Sequence, residues 1–453
     1  MTAVYTISIA TIPNPRIFLS AGEASGDHYG AEIISELRTR LPDATFTGLG
    51  GTAMEAAGQQ RIVRAENVAH MGLTEVLRHA AYIHSQYRAL VAAIKRSPPS
   101  LAIFIDFPDV NFRLAMHCKR LGVPVLWFVS PQLWAWKRRR LRWVQRFVDR
   151  MLVIFPFEAP FYRARSVDAE FVGHPLATLP LPTISREAYA AQHGLDPTKQ
   201  WIALLPGSRQ KEIKSNLSPM IGLAVAAATP DDADFMDMLG ISGRPSDFIL
   251  DYGKYEFVLP VASTIAMDQL QSEVGRLSKR WTKISRSTIP GLHLHLVPDA
   301  REALHHARAS IVASGTATVQ ALTIGNPFVV VYRVSPLTYA ILKRLVRYPA
   351  EIPAQPDADG NLPIAMPNLI AARRIVPELL NARFTAANLA AALRPLLDDT
   401  PARAEMIADL AEARARLLPA PDSHPLQRVC DAAEVLLRST APSGVPRTPV
   451  ANV

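Results

Sequence analysis

Apolar positions along this chain fall into two patterns that alternate. Continuous apolar runs of strand length stand at RIFLS (16–20), LAIFID (101–106), PVLWFV (124–129) and MLVIF (151–155). Unbroken runs of this kind belong to parallel strands covered on both faces, whereas a half-exposed strand would alternate. Between them the apolar residues recur at helical spacing, as in AEIISELRTRL (31–41) and VNFRLAMHCKRLG (110–122). The succession predicts a doubly wound βαβ unit. After the proline-rich passage GHPLATLPLPTIS (173–185) the rhythm restarts, with strands predicted at WIALL (201–205), EFVLPVA (256–262), LHLHLV (292–297), SIVA (310–313) and PFVVVY (327–332). Beyond residue 385 the pattern is helical, and the final APSGVPRTPVANV predicts a disordered tail. The expected fold class is therefore α/β: two doubly wound Rossmann-like domains facing a central cleft, with C-terminal helices. The expected boundaries are 1–180, 181–400, helices over 401–440 and the tail 441–453. The proline-rich stretch 349–367 and the weakly periodic stretch 231–250 read as insertions.

Composition narrows the partners. With 453 residues, 49% of them hydrophobic, the chain can build two cores, and a charged fraction of 20% excludes wholesale disorder. The net charge of +9 and a pI near 9.6 point to an anionic partner, whether nucleic acid, phosphorylated substrate or acidic membrane. Cys118 and Cys430, the only cysteines, suggest neither a disulfide framework nor a zinc site, so a reducing cytoplasm is expected. The N-terminal MTAVYTISIATIPNP lacks the cationic start of a signal peptide, and no uninterrupted apolar run reaches the ~18 residues of a spanning helix.

Candidate chemistry lies where predicted strands end, because open α/β sheets bind ligands at their carboxyl edge. In LLPGSRQKEI (204–213), Gly207, Ser208 and Arg209 follow a strand and open a helix. A helix-capping turn explains them, and so does a phosphate site built from free N–H groups and a guanidinium. ASGTATVQAL (313–322) repeats the arrangement with Ser314, Gly315 and Thr316. Two helix N-termini at one sheet edge suit a diphosphate.

The loop SAGEASGDHYG (20–30) is not G-x-G-x-x-G, so no dinucleotide is expected there; Ser25 and Asp27 read as caps, while Glu23 needs a partner for its charge. Asp106 ends a strand in IDFPDVNFR, where its carboxylate can accept a proton or can simply terminate the turn; Asp109 and Asn111 read as caps. WAWKRRRLRWVQRFVDR (134–150) carries seven cations and one acid, with Trp134, Trp136 and Trp143 among them. It fits a solvated helix face, a membrane interface or a nucleic-acid groove. His305-His306 and the HLH of 293–295 lack carboxylate or cysteine companions at ligand spacing, so no metal site is expected.

Nine segments in order, AGEASGD (21–27), MGLTEVL (71–77), IDFPDVN (105–111), VSPQLWAW (129–136), FPFE (155–158), GHP (173–175), LLPGSR (204–209), ASGTAT (313–318) and MPNLIAARRIVPELL (366–380), resemble the signatures of the lipid-A-disaccharide synthase family. The resemblance implies an inverting GT-B glycosyltransferase that needs neither metal nor cofactor. It would work peripherally at the cytoplasmic face of the inner membrane. It would join UDP-2,3-diacylglucosamine to 2,3-diacylglucosamine 1-phosphate through a β-1,6 bond and release UDP. Asp106 matches the family's catalytic aspartate. Gly207, Ser208, Arg209, Ser314, Gly315, Thr316, Gln320 and Asn368 fall on donor positions, and Glu23, Ser25, Asp27 and Asn111 on acceptor positions. Gln320 stands where the family usually has a glutamate, and Ala371-Ala372-Arg373-Arg374 replaces a glycine and an acid.

The same residues leave room for another GT-B enzyme, such as a UDP-N-acetylglucosamine 2-epimerase or a peptidoglycan glycosyltransferase, and for a basic nucleic-acid-binding protein. The resemblance itself calls for no nucleic acid. It adds an anionic membrane surface, met through 71–94 and 134–150, and leaves a homodimer open.

Overall fold

The computed structural model describes residues 14–66, 80–136, 138–228, 232–239, 254–262, 264–285, 292–352 and 354–440. The chain forms two compact units, Met1–Pro175 with Leu418–Val453, and Leu176–Leu417.

The first unit holds a parallel sheet in the order β3-β2-β1-β4-β5-β6-β7. Its strands are β1 (Arg16–Ala21), β2 (Thr45–Gly50), β3 (Gln59–Arg64), β4 (Leu101–Ile105), β5 (Val125–Phe128), β6 (Arg150–Val153) and β7 (Ala169–Phe171). β4 is buried at every position, and Phe104 packs between Phe18 and Trp127 at ring separations of 6.1 and 5.9 Å. The chain order reverses direction between β1 and β4, which makes their carboxyl ends the switch point of the sheet.

The second unit repeats the scheme as β10-β9-β8-β11-β12-β13, again all parallel. Its strands are β8 (Gln200–Leu205), β9 (Tyr255–Pro260), β10 (Leu294–Val297), β11 (Ala309–Ala313), β12 (Phe328–Tyr332) and β13 (Glu378–Leu380). Here the switch point lies between β8 and β11.

All nine predicted strands are present. Four others, β2, β3, β7 and β13, carried no continuous apolar run. β3 and β13 are sheet edges with polar positions (QQRIVR, ELL), β7 is three residues long, and β2 (TFTGLG) is interrupted by glycine and threonine.

The residues expected as one C-terminal helical segment divide between the units. Helix Pro401–Ala415 belongs to the second, and helix Pro425–Thr440 to the first. There Arg40, at the end of helix Ala24–Arg40, pairs with Asp431 at 2.5 Å and Glu434 at 3.1 Å. Cys118 and Cys430 are buried free thiols. Among the described residues no helix is long and apolar enough to cross a membrane.

Candidate functional site

At the switch point of the first unit, Ala21 pairs with Ile105 and Ile105 with Phe128, so the turns after β1, β4 and β5 emerge side by side. The backbone there is strained. Asp106 (φ 45°), Phe107 (φ 50°) and Val129 (φ 63°) all sit in the left-handed region. For a bulky or β-branched residue that conformation is an outlier, kept only where the surroundings enforce it and concentrated at functional sites.

Asn111 supplies part of the enforcement. It is fully buried; Nδ2 donates to the Asp106 carbonyl at 2.8 Å and the Ser20 carbonyl at 3.3 Å, while Oδ1 accepts from the Ser20 hydroxyl at 2.7 Å. The Asp106 N–H donates to Phe128 O at 3.0 Å. The Phe107 ring closes over Gly22, where a Cβ would lie 2.4 Å from it. Asp106 is thereby held half-buried at the sheet edge.

AGEASGD is less of a loop than its glycines suggest. The helix begins at Ala24, so only Gly22 and Glu23 form the turn. Gly30 is helical and admits the Met54 sulfur, which a Cβ would meet at 2.6 Å. Asp27 is buried and accepts from the N–H groups of Gly51 (2.7 Å), Ala53 (3.0 Å) and Met54 (3.2 Å), capping helix Thr52–Ala56. Glu23 and Ser25 are exposed.

The motifs after β5 and β6 are joined by a buried acid that the sequence reading passed over. Glu158 Oε1 accepts from the Ser130 hydroxyl at 2.6 Å and Trp134 Nε1 at 3.1 Å; Oε2 accepts from Phe155 N at 3.2 Å. Burial pushes its carboxyl up to about 7. Trp134, read as a membrane or nucleic-acid candidate, is therefore an interior anchor, 1% exposed. Arg150, counted in the basic run, is a β6 residue paired with Asp168 and Glu170 at 2.5 Å each.

In the second unit, Leu205 of β8 lies in register with Val312 of β11, which sets the PGSR and SGT turns together as expected. Helices Gln210–Ala228 and Thr316–Ile324 start there. Gly207 (φ 122°) and Gly315 (φ 143°) adopt conformations closed to other residues, and Ser208, Arg209, Gly315 and Thr316 are exposed. Buried Asn216 donates to the Pro206 carbonyl at 2.8 Å, holding the first turn from beneath.

Glu212 occupies the anion position in this turn. Its Oε2 accepts from the N–H groups of Ser208 (3.0 Å) and Arg209 (3.3 Å), and its Oε1 lies 3.6 Å from the Arg209 guanidinium. These are the groups that would bind a phosphate oxygen.

Gln320, half-buried, lies on helix Thr316–Ile324. Asn368 is 1% exposed with both ends of its amide engaged: Oδ1 accepts from Ile375 N (2.7 Å) and Val376 N (2.9 Å), and Nδ2 donates to Val376 O (3.0 Å) and Glu378 Oε1 (2.8 Å). Glu378 also accepts from the N–H groups of Ile364 and Ala365 at the start of helix Met366–Ala371. Like Asn111, Asn368 fixes the backbone around it. MGLTEVL lies outside the described residues. The expectation that HLH has no carboxylate companion is corrected, because β9 brings Glu256 to His293 and His295.

Residues 17–233 and 269–418 match the protein family described as lipid-A-disaccharide synthetase. The chain is 50% identical over 432 residues to the lipid-A-disaccharide synthase of Acidobacterium capsulatum, covering 94% of this chain and 98% of that protein. It is 42% identical to that of Koribacter versatilis, over 89% of this chain and 93% of the relative. Two solved structures share its fold. The calicheamicin glycosyltransferase CalG4 is 16% identical with a TM-score of 0.53, over 95% of this chain and all of that one. The S. aureus MnaA-UDP co-structure is 11% identical with a TM-score of 0.56, again over 95% and 100%. The two parallel switch-point sheets are thus those of a GT-B glycosyltransferase, and the chain belongs to the lipid-A-disaccharide synthase family of lipid A biosynthesis.

Proposed function

We propose that the chain transfers 2,3-diacylglucosamine from UDP-2,3-diacylglucosamine to the 6-hydroxyl of 2,3-diacylglucosamine 1-phosphate, with inversion and release of UDP. The observation that carries this reading is the pair of helix-opening turns at the β8/β11 switch point, PGSR and SGT, with Arg209 beside them. N–H groups at two helix starts and one guanidinium match the charge that develops on a departing diphosphate. Asp106 takes the acceptor proton as the hydroxyl oxygen forms its bond to the anomeric carbon, and the bond from that carbon to the UDP oxygen breaks.

In this reading Gly207, Ser208, Arg209, Ser314, Gly315 and Thr316 hold the diphosphate. Gln320 meets the ribose hydroxyls with a neutral amide where a carboxylate would accept from both. Glu23 and Ser25, exposed at the β1 turn, meet the acceptor. Asp27, Asn111 and Asn368 act by positioning backbone. Since both sugars carry long acyl chains, the enzyme works at an anionic membrane surface.

The test is an assay of the purified chain with both acylated sugars in detergent or vesicles. The expected product is the acylated disaccharide 1-phosphate with one UDP released per bond. Epimerisation of UDP-N-acetylglucosamine without transfer would replace this reading by that of an epimerase.

A further inference from the structure

We infer that Glu256, His293 and His295 form a binding site for one divalent transition-metal ion of the zinc class. It stands apart from the proposed diphosphate turns, which lie at the carboxyl ends of β8 and β11. Glu256 is the second residue of β9, His295 the second of β10, and His293 directly precedes β10, so the cluster lies at the amino ends of those strands.

Residues two apart on a strand project to one face, which aligns the two imidazoles. The parallel register Leu294↔Phe257 sets His293 beside Glu256. One ligand atom from each of the three residues lies within 4.8 Å of the others. Tetrahedral zinc with ~2.0–2.2 Å bonds needs donors about 3.3 Å apart, so small side-chain rotations close the site.

Two features mark Glu256 and His295 as underused among the described residues. The Glu256 side chain is 4% exposed; Oε2 accepts from Asp196 N at 2.9 Å, but among the described residues Oε1 meets only His293 Nδ1 at 3.7 Å and Lys199 Nζ at 3.9 Å, both beyond hydrogen-bond length. His295 Nε2 is buried with no hydrogen-bond partner among the described residues. An imidazole nitrogen buried without a partner offers its lone pair to an entering ion.

Two imidazoles and a carboxylate form a donor set that suits zinc better than magnesium or calcium, and a water completes it. Lys199 is the competing cation. Its flexible stem and its 3.9 Å separation let it withdraw when an ion enters. A bound ion would tie β9 and β10 together, and through Glu256 the turn at Asp196, so its role is structural.

The test uses the chelator-stripped full chain titrated with Co²⁺ alone. One equivalent should bind with the visible bands of a tetrahedral ion, and Zn²⁺ should bleach them. Glu256→Gln and His295→Gln should each weaken binding about 10-fold or more. Because Glu256→Gln also disturbs the bond to Asp196 N and can unfold this edge, His293→Asn, at a part-exposed ring, is the deciding variant. It should fold normally, lose the bands, and lose the Zn²⁺-induced rise in melting temperature. Absence of stoichiometric binding, or binding undiminished in His293→Asn, overturns the proposal. None of these readings depends on glycosyl transfer.

Discussion

The Asn111 side chain donates to the Asp106 carbonyl at 2.8 Å, so the residue proposed as base is held in a left-handed conformation by a buried amide five positions downstream. Asparagine tolerates that conformation well. Asp106→Asn should therefore fold like the wild type and bind UDP with unchanged affinity, while turnover falls about 100-fold or more. Asn111→Ala should behave differently. It strips partners from buried carbonyls, costing about 1–3 kcal/mol of stability, and lowers kcat more than it raises KM because the base drifts. Melting curves and steady-state kinetics on both variants check this contrast; a fully active Asp106→Asn enzyme would move the base elsewhere.

Glu212 competes for the N–H groups assigned to the donor diphosphate. Glu212→Gln should raise UDP affinity about 2- to 30-fold, the equivalent of ~0.3–2 kcal/mol for a charge at a helix start, and should lower the stability of the unliganded protein. Arg209→Ala should weaken UDP binding and turnover together, since the guanidinium would meet the diphosphate before and during transfer. Calorimetric titration with UDP measures both. Unchanged affinity in each variant would separate this turn from the donor.

Much of this arrangement was legible in the chain, for a physical reason. Buried parallel strands require continuous apolar runs, and runs such as LAIFI and WIALL announce both the sheet and the turns that follow. PGSR and SGT could be placed at one edge because strand ends and helix starts leave local marks. Edge strands such as β3 leave none, being half polar. The deeper limit concerns long-range pairing. Nothing near Asn111, Glu158 or Asn368 in sequence says that each spends its polar atoms on backbone or side chains inside the fold, and a buried polar bracket has the same letters as a ligand contact. Glu256 shows the converse: its companions His293 and His295 lie far along the chain and meet it only through the pairing of β9 with β10.

Glu158 makes the stability of the first unit depend on pH. Its carboxyl, raised from 4.5 to about 7 by burial, binds a proton more tightly folded than unfolded. The stabilisation is fully present below pH 4.5 and disappears as pH rises through about 7, up to about 3 kcal/mol in all. His174 acts in the opposite sense: burial lowers it from 6.5 to about 3, so its contribution is present above 6.5 and lost as pH falls. The two overlap, and the wild-type profile alone would hide both. The informative quantity is the urea-midpoint difference between wild type and Glu158→Gln, which should shift against the wild type between pH 4.5 and 7. A constant difference would mean that Glu158 stays ionised throughout.

Membrane contact should depend on a subset of the basic run. Arg140 is paired with Asp109 at 2.5 Å and Arg150 with Asp168 and Glu170, which removes both from the simplest count of cations facing lipid. Arg120, Arg139, Arg142 and Arg146 instead line a cavity of about 570 Å³ whose remaining walls are Met116, Trp143 and Phe147. Cations around an apolar floor suit a phosphate headgroup with the start of its acyl chain. Each cation near an anionic surface contributes ~1 kcal/mol, so replacing Arg139, Arg142 and Arg146 with glutamine should weaken binding to phosphatidylglycerol vesicles about 100-fold. Wild-type binding should also fall steeply with salt, since exposed charges are screened within ~10 Å at 0.1 M. Co-sedimentation with anionic and neutral vesicles reads both effects. Equal binding to the two lipids, or no loss in the triple variant, would place the lipid-facing surface elsewhere; exposed Leu337, Ile341 and Leu345, on one face of helix Pro336–Leu345, would then be the next to replace.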